Sequence, residues 1–231
     1  MTHKFTAQNK MIDVIDEDAS LLTTLTRFGI SFGFGNKTIE DACKSNNIDT
    51  ETFLAVINFI AEGNMIMDDT VQHLSIETVI SYLKNGHSYF ISYKLPSLKT
   101  KLLEAVDASD QSIPYRQVFL RFFDEYVDEV RKHMEYEDQT VFPYVMQLLS
   151  GTQNPKYSIS VFEDHHSDVD SKLAELKNIL VKYYPSKGNN YRLNEVLFDL
   201  LLLEKDLVIH NMVEDYFFVP VVEAIEQNLR Q

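Results

Sequence analysis

HMEYEDQTVFPYV (residues 133–145) aligns without gaps with HNMVEDYFFVPVV (residues 210–222), and this repeated stretch decides the fold. The two copies share His, Glu, Asp, Pro and Val at the same offsets, and His210 follows His133 by 77 residues. Nearly the same shift, 79 residues, relates His87 to His166. Each half of the chain is therefore expected to contain one helix with a single His and one helix with His-x3-Glu.

The His-x3-Glu pairs lie on the apolar stripes of two long amphipathic segments. In the fourth long segment the stripe recurs every three or four residues, which is the period of a helix face turned to a core. Its members are Val196, Leu200, Leu203, Leu207, His210, Glu214, Phe217 and Val221. The second segment has the equivalent series Phe119, Phe123, Tyr126, Val130, His133, Glu137, Thr140 and Tyr144. Both pairs are therefore expected to face the core.

The two single histidines are placed by the same periodicity. The apolar stripe of the third segment contains Phe162, His166, Val169, Leu173, Leu176 and Leu180. His166 fits this helical spacing, whereas its neighbour His165 does not. In the first segment Ile80, Leu83, His87 and Phe90 precede a slip near Pro96, after which the stripe continues with Leu95, Leu98 and Leu102. We expect His87 and His166 to point inward.

The chain is predicted to be all-α, with an up-down four-helix bundle after a small three-helix N-terminal domain. The N-terminal helices are expected from about Ala7 to Phe28, from Thr38 onward, and from Asp49 or Thr50 to Gly63, which makes a domain of residues 1–74. The bundle occupies residues 75–231, with long helices at about 76–107, 114–149, 157–184 and 191–229. The short connections between these helices favour antiparallel neighbours.

Composition excludes several classes of protein. Thirty-five acidic residues against 21 basic ones give a net charge of -14, which opposes nucleic-acid binding because that affinity comes largely from Lys and Arg. No apolar run approaches the roughly 20 residues that span a bilayer, and the N-terminus lacks a secretory pattern. The single cysteine, Cys43, excludes a multi-Cys metal site. We therefore expect a cytoplasmic protein with no nucleic-acid or membrane partner.

Four imidazoles and two carboxylates in one bundle core require compensation, since each buried ion costs several kcal/mol. One explanation is a set of ion pairs between Glu and protonated His. The favoured one is metal binding, because a metal takes neutral imidazole and ionised carboxylate as ligands. Six nitrogen and oxygen ligands are too many for one tetrahedral zinc and suit two transition ions bridged by carboxylates. The ligand types alone leave zinc and manganese open.

These residues resemble the hemerythrin-like (HHE cation-binding) family, and in particular its repair-of-iron-centres branch. The match covers about 155 residues and implies an oxo- or hydroxo-bridged pair of iron ions. The metal ligands implied by the resemblance are His87, His133, Glu137, His166, His210 and Glu214. Pro143 and Pro220, which follow the two Glu residues, also fit the family pattern. A homodimer is compatible with the resemblance.

The N-terminal segment resembles the small helical domain of the same branch, with one departure. The family usually has a Cys-Cys pair in the loop before Lys37-Thr38-Ile39, whereas this chain has Gly33 and Phe34. Cys43 stands at the family's Ala-Cys position, but a cysteine buried in a helix is more often structural.

The resemblance implies a non-haem di-iron protein that repairs iron–sulfur clusters after nitrosative or oxidative stress by supplying iron to iron–sulfur proteins. A second hypothesis is a module that reversibly binds or senses O2 or NO, and a third is an NO or peroxide reductase. Asp138 and Asp215, each next to a proposed Glu ligand, fit equally well as acceptors for a ligand imidazole N–H or as surface acids. Glu129 is interpreted as a surface charge rather than part of an access route.

Overall fold

The computed structural model describes residues 4–63, 71, 73–107, 112–151, 157–163, 169–184 and 190–230. Over these residues the chain is helical and contains no β-strand, apart from one isolated bridge between Lys10 and Thr38. The all-α prediction is confirmed. None of the described helices is both long and apolar enough to cross a membrane.

In the described part of the N-terminal segment there are four short helices: α1 (Met11–Glu17), α2 (Leu21–Arg27), α3 (Ile39–Ser45) and α4 (Thr50–Glu62). The single helix expected from Ala7 to Phe28 is thus divided, because Asp18 adopts an extended conformation and its carboxylate accepts the Ser20 N–H at 2.9 Å. An Asp side chain that bonds the nearby backbone competes with helix continuation.

The expected capping residues are found at the starts of α3 and α4 and at the end of α4. Thr38 Oγ1 accepts the Asp41 N–H at 3.1 Å, and Asp49 Oδ1 accepts the Thr52 N–H at 2.8 Å. Each bond satisfies a backbone donor that the first helical turn leaves without a partner in the helix. Helix α4 ends at Gly63, whose positive φ of 63° is easily adopted by glycine.

The long segments contain the helices α5 (Ile76–Tyr89), α6 (Leu95–Asp107), α7 (Ser112–Tyr136), α8 (Phe142–Leu149), α9 (Ser160–Glu163), α10 (Val169–Tyr183), α11 (Tyr191–Val213) and α12 (Val219–Arg230). Three pairs of these helices are joined without a break by π-helical segments. We name these segments π1 (Phe90–Lys94, between α5 and α6), π2 (Glu137–Val141, between α7 and α8) and π3 (Glu214–Phe218, between α11 and α12). The slip expected near Pro96 coincides with π1.

A proline explains each π segment, since Pro96, Pro143 and Pro220 lie six residues after the first residue of π1, π2 and π3. Proline has no N–H, and its ring crowds the carbonyl four residues earlier. The helix widens there, so that Leu95, Phe142 and Val219 each donate to the carbonyl five residues back. Such π-bulges often occur at functional sites.

The chain divides into two compact units, each with its own packing: Met1–Gly86 with Tyr144–Ile159 and Met212–Gln231, and His87–Pro143 with Ser160–Asn211. The second unit has an apolar core to which all four long segments contribute, including Phe90, Phe123, Leu176 and Leu203. This core agrees with the expected four-helix packing. The domain boundary near residue 74 remains a prediction.

An ion pair joins α11 to the first long segment within the second unit. Asp199 accepts hydrogen bonds from Lys94 Nζ at 2.7 Å and from Lys101 Nζ at 2.6 Å. Burial acts to raise the pKa of Asp199, but the bonds from these two lysines outweigh it and leave the pKa below its usual value. Since Lys94 is the last residue of π1, the pair fixes that segment against α11.

Candidate metal site

Glu137 lies between two histidines from different helices. Its Oε2 is 2.9 Å from His87 Nε2, and its Oε1 is 2.9 Å from His133 Nε2. The Glu137 side chain is fully buried and that of His87 nearly so, whereas 15% of the His133 side chain is exposed. A single carboxylate therefore connects α5 and α7 through both of its oxygens.

The second His-x3-Glu pair is also buried. His210, near the end of α11, is 1% exposed, and Glu214 is fully buried as the first residue of π3. Each of His87, Glu137, His210 and Glu214 offers one ligand atom within 4.8 Å of those of the other three. This distance is short enough for one metal ion or two adjacent ions to contact all four side chains.

The π segments determine which side chains turn inward beyond the Glu residues. Periodicity predicts Thr140 on the core-facing stripe of the second segment, but the structure shows Thr140 exposed and Val141 buried. The extra residue in the wider turn of π2 advances the stripe by one position. A signal for this shift is present in the sequence, because a proline stands six residues after each Glu.

Asp138 contributes to the site, a role that the sequence left undecided. Its Oδ1 is 3.2 Å from His87 Nδ1. An ionised carboxylate can only accept, so Nδ1 of His87 is the donor in this contact. Asp138 therefore acts on the orientation of the His87 ring, as carboxylates commonly do for metal-binding imidazoles.

Glu129 pairs with Lys172, which agrees with its interpretation as a surface charge.

The His87–Glu137 contact has a chemical consequence. With Nδ1 donating to Asp138, the Nε2 of a neutral His87 carries a lone pair directed at a carboxylate oxygen 2.9 Å away. Two acceptors at this distance repel each other unless a proton or a metal cation lies between them. The arrangement therefore fits a metal with nitrogen and oxygen ligands, and a protonated His87 is the alternative.

Aromatic rings surround the histidines of this group. The His87 ring stacks on Phe142 with centroids 5.6 Å apart, and it lies 5.1 Å from the His210 ring. Phe90 contacts the His210 ring edge to face at 5.6 Å. Rings in these positions hold the imidazoles in place and keep water from the inner side of the site.

Two expected features of the site remain predictions. His165 and His166 lie outside the described residues, so the choice of His166 is still a prediction from the periodicity. Asp215, the counterpart of Asp138 in the second repeat, is described, and its role as an acceptor also remains a prediction.

Cys43 has the properties of a packing residue. Its side chain is fully buried in α3, and burial raises the pKa of the thiol to about 12, although a hydrogen bond with Thr50 acts to lower it. The reactive form of cysteine is the thiolate, which is scarce at neutral pH when the pKa is this high.

A helical core that directs His from three helices and two Glu residues toward one another defines a hemerythrin-like cation-binding fold. The chain belongs to this family: the model of the hemerythrin HHE cation-binding domain matches residues 78–222. The resemblance inferred from the repeated His-x3-Glu motif is thereby confirmed.

Curated relatives cover most of the chain at low identity. An iron–sulfur cluster repair protein named ScdA from Staphylococcus haemolyticus is 23% identical over 196 residues, which cover 82% of this chain and 86% of the relative. The ScdA protein of Staphylococcus epidermidis (strain ATCC 35984) is 23% identical over 184 residues, covering 77% of this chain and 81% of the relative. The similarity thus extends beyond the region matched by the family model.

Replacement of Pro143 tests whether π2 positions Glu137. In Pro143→Ala the new N–H can bond the Gln139 carbonyl, so π2 is free to become α-helical and to rotate Glu137 relative to α8. We expect metal affinity to fall about tenfold, measured by titration with ferrous iron. The free energy of unfolding of the metal-free protein should not fall, because a proline inside a helix costs about 3 kcal/mol. Unchanged affinity would show that π2 does not position the carboxylate.

Proposed function

We propose that this protein binds two iron ions through His87, His133, Glu137, His166, His210 and Glu214, and that it supplies iron for the repair of damaged iron–sulfur clusters. The observation that carries the proposal is the buried Glu137 carboxylate, whose two oxygens lie 2.9 Å from imidazole nitrogens of His87 in α5 and of His133 in α7. A fully buried carboxylate between imidazoles is costly in a metal-free core and favourable as a ligand to cations.

The ligand types support iron, and the relatives support the repair role. Imidazole and carboxylate ligands suit iron among the transition metals, and the relatives carry the name iron–sulfur cluster repair protein. When bound, an iron pair supplies one-electron redox chemistry and coordination positions open to a small ligand such as O2 or NO. The iron that leaves the site is, in this proposal, the cargo.

The side chains have separate tasks in this proposal. Glu137 lies between His87 and His133 and would hold metal through its carboxylate oxygens, while Asp138 fixes the ring orientation of His87. The partly exposed His133 marks the side of the site nearest to solvent, whereas His87 and His210 are almost fully buried. Exchange of iron with an acceptor is therefore expected on the His133 side.

A second candidate function is reversible binding or sensing of O2 or NO. The observation in its favour is the packing of Phe90 and Phe142 against His210 and His87, because an apolar wall suits a small uncharged ligand. In this case the iron stays in the protein throughout the binding cycle.

Iron transfer separates the two candidates. The protein is loaded anaerobically with ferrous iron, freed of excess metal and mixed with an iron–sulfur enzyme whose cluster has been damaged by NO. We expect the activity of the enzyme to recover while the donor loses iron, with apo-protein and Glu137→Gln as controls. Retention of all iron together with reversible O2 or NO binding would contradict the supply function and support the second candidate.

A further inference from the structure

The two repeats differ in the side chains that follow the Glu in their π segments. Two and three residues after Glu137, π2 has Gln139 and Thr140, which are exposed. After Glu214 the corresponding positions in π3 are Tyr216, which is exposed, and Phe217, which is fully buried. Two segments with the same Glu and the same proline therefore have different surroundings.

The aromatic pair of π3 packs against one residue of the N-terminal helices. The Phe59 ring of α4 lies 5.2 Å from the Phe217 ring, edge to face, and 5.2 Å from the Tyr216 ring. Phe59 is itself 3% exposed. These contacts lie two and three residues after Glu214, within the same wide turn.

Helix α4 provides a firm support for this ring. Asn58, next to Phe59, is buried and makes two hydrogen bonds with the backbone of Phe5, at 2.7 and 3.0 Å. Near the start of the helix, Thr52 Oγ1 accepts the Ser75 N–H at 2.9 Å. The hydrogen bonds of Asn58 and Thr52 hold α4 at two places along its length, and they thereby hold Phe59 in position.

We propose that Phe59 is a positioning residue for Glu214, so that helix α4 determines how firmly the Glu214 half of the site retains its metal ion. The inference rests on the proposed metal-binding function. Pro220 keeps π3 from closing into a regular α-helix, but the wide turn lacks regular α-helical hydrogen bonding, so the side chains packed on it help to set the rotation of Glu214. Phe59 restrains this rotation by packing on Tyr216 and Phe217, while π2 has no such aromatic pair at the matching positions.

The experiment measures iron release from the full chain. Wild type, Phe59→Leu and the matched control Phe53→Leu are loaded with ferrous iron under anaerobic conditions, and transfer to a ferrous chelator is followed by absorbance. Phe53 lies on the same helix and is equally buried, but its ring contacts Phe28. We expect release about tenfold faster from Phe59→Leu than from wild type, and less than a twofold change in Phe53→Leu.

A second measurement works without metal. Hydrogen exchange of the backbone amides of residues 214–219 is compared in the metal-free proteins, and Phe59→Leu is expected to exchange faster there than Phe53→Leu. Phe217→Leu removes the same contact from the other side, and the double variant should show no more than the larger single effect. The Phe217→Leu variant by itself keeps the test usable if Phe59→Leu folds poorly.

The outcomes separate this inference from the function on which it rests. Equal release from Phe59→Leu and Phe53→Leu, with iron bound by the wild type, would overturn the role of Phe59 and leave the metal site intact. Equal amide exchange in the two variants would overturn it as well. A wild-type protein that binds no iron would refute the metal site, and with it the retention role of α4.

Discussion

Anaerobic addition of ferrous iron is expected to raise the melting temperature of the metal-free protein by roughly 8–16 °C. A ligand present at about 1,000 times its Kd stabilises the folded state by about 4.1 kcal/mol. In a chain of this length, 1 kcal/mol shifts the melting temperature by about 2–4 °C. The buried group of His87, Glu137, His210 and Glu214 is where this free energy would be gained. Thermal unfolding followed by circular dichroism, with metal analysis of the same samples, measures both the shift and the stoichiometry.

His133→Ala provides the test variant and His73→Ala its control. His133 contacts Glu137, whereas His73 is exposed and is not a proposed ligand. We expect the shift in melting temperature to fall to a third or less in His133→Ala and to stay unchanged in His73→Ala. A metal-free wild type that is insensitive to iron, with His133→Ala equally stable, would contradict the metal site.

Glu137→Gln is expected to lower iron affinity by at least about 100-fold. Loss of a residue that only supports a ligand commonly costs about 10–100-fold, and Glu137 is proposed to contact the metal directly. The substitution keeps the shape of the side chain but removes the negative charge between His87 and His133. Titration with ferrous iron, monitored by the optical spectrum, gives the change in Kd.

The same variant distinguishes metal binding from a buried ion pair. If Glu137 serves to neutralise protonated histidines, its replacement leaves a buried charge without compensation, and the metal-free protein should lose about 3–5 kcal/mol of stability. If the histidines are neutral ligands, the metal-free variant should remain close to wild type in stability. Glu135→Gln is the matched control, because Glu135 is exposed on the same helix. Strong destabilisation together with unchanged iron binding would contradict the ligand role.

Local periodicity is sufficient to predict most of the core-facing positions. Every member of the stripe from Val196 to Val221 is buried, including His210 and Glu214. This agreement arises because the period of an α-helix places residues three and four apart on one face regardless of what packs against it. For the same reason, the four-residue spacing of His and Glu by itself indicates that the two members of each pair share a face.

Two features are harder to predict: the break between the first two N-terminal helices, and the register just after Glu137. Asp18 ends α1 through its extended backbone, and its carboxylate accepts the Ser20 N–H. Thr140 fits the stripe at α-helical spacing, yet the π turn exposes it and buries Val141. The extra residue in the π turn moves burial from Thr140 to Val141, and periodicity alone does not reveal it.

By itself the sequence determined the all-α class, the duplicated halves and the inward faces of His87, Glu137, His210 and Glu214, because these follow from the regular geometry of single helices. Only the tertiary structure decided that Glu137 lies between His87 and His133, that Asp138 contacts His87, and that Phe59 covers π3. Such contacts depend on the relative height and rotation of separate helices. Those quantities are set by packing between residues far apart in the chain, and no local pattern records them.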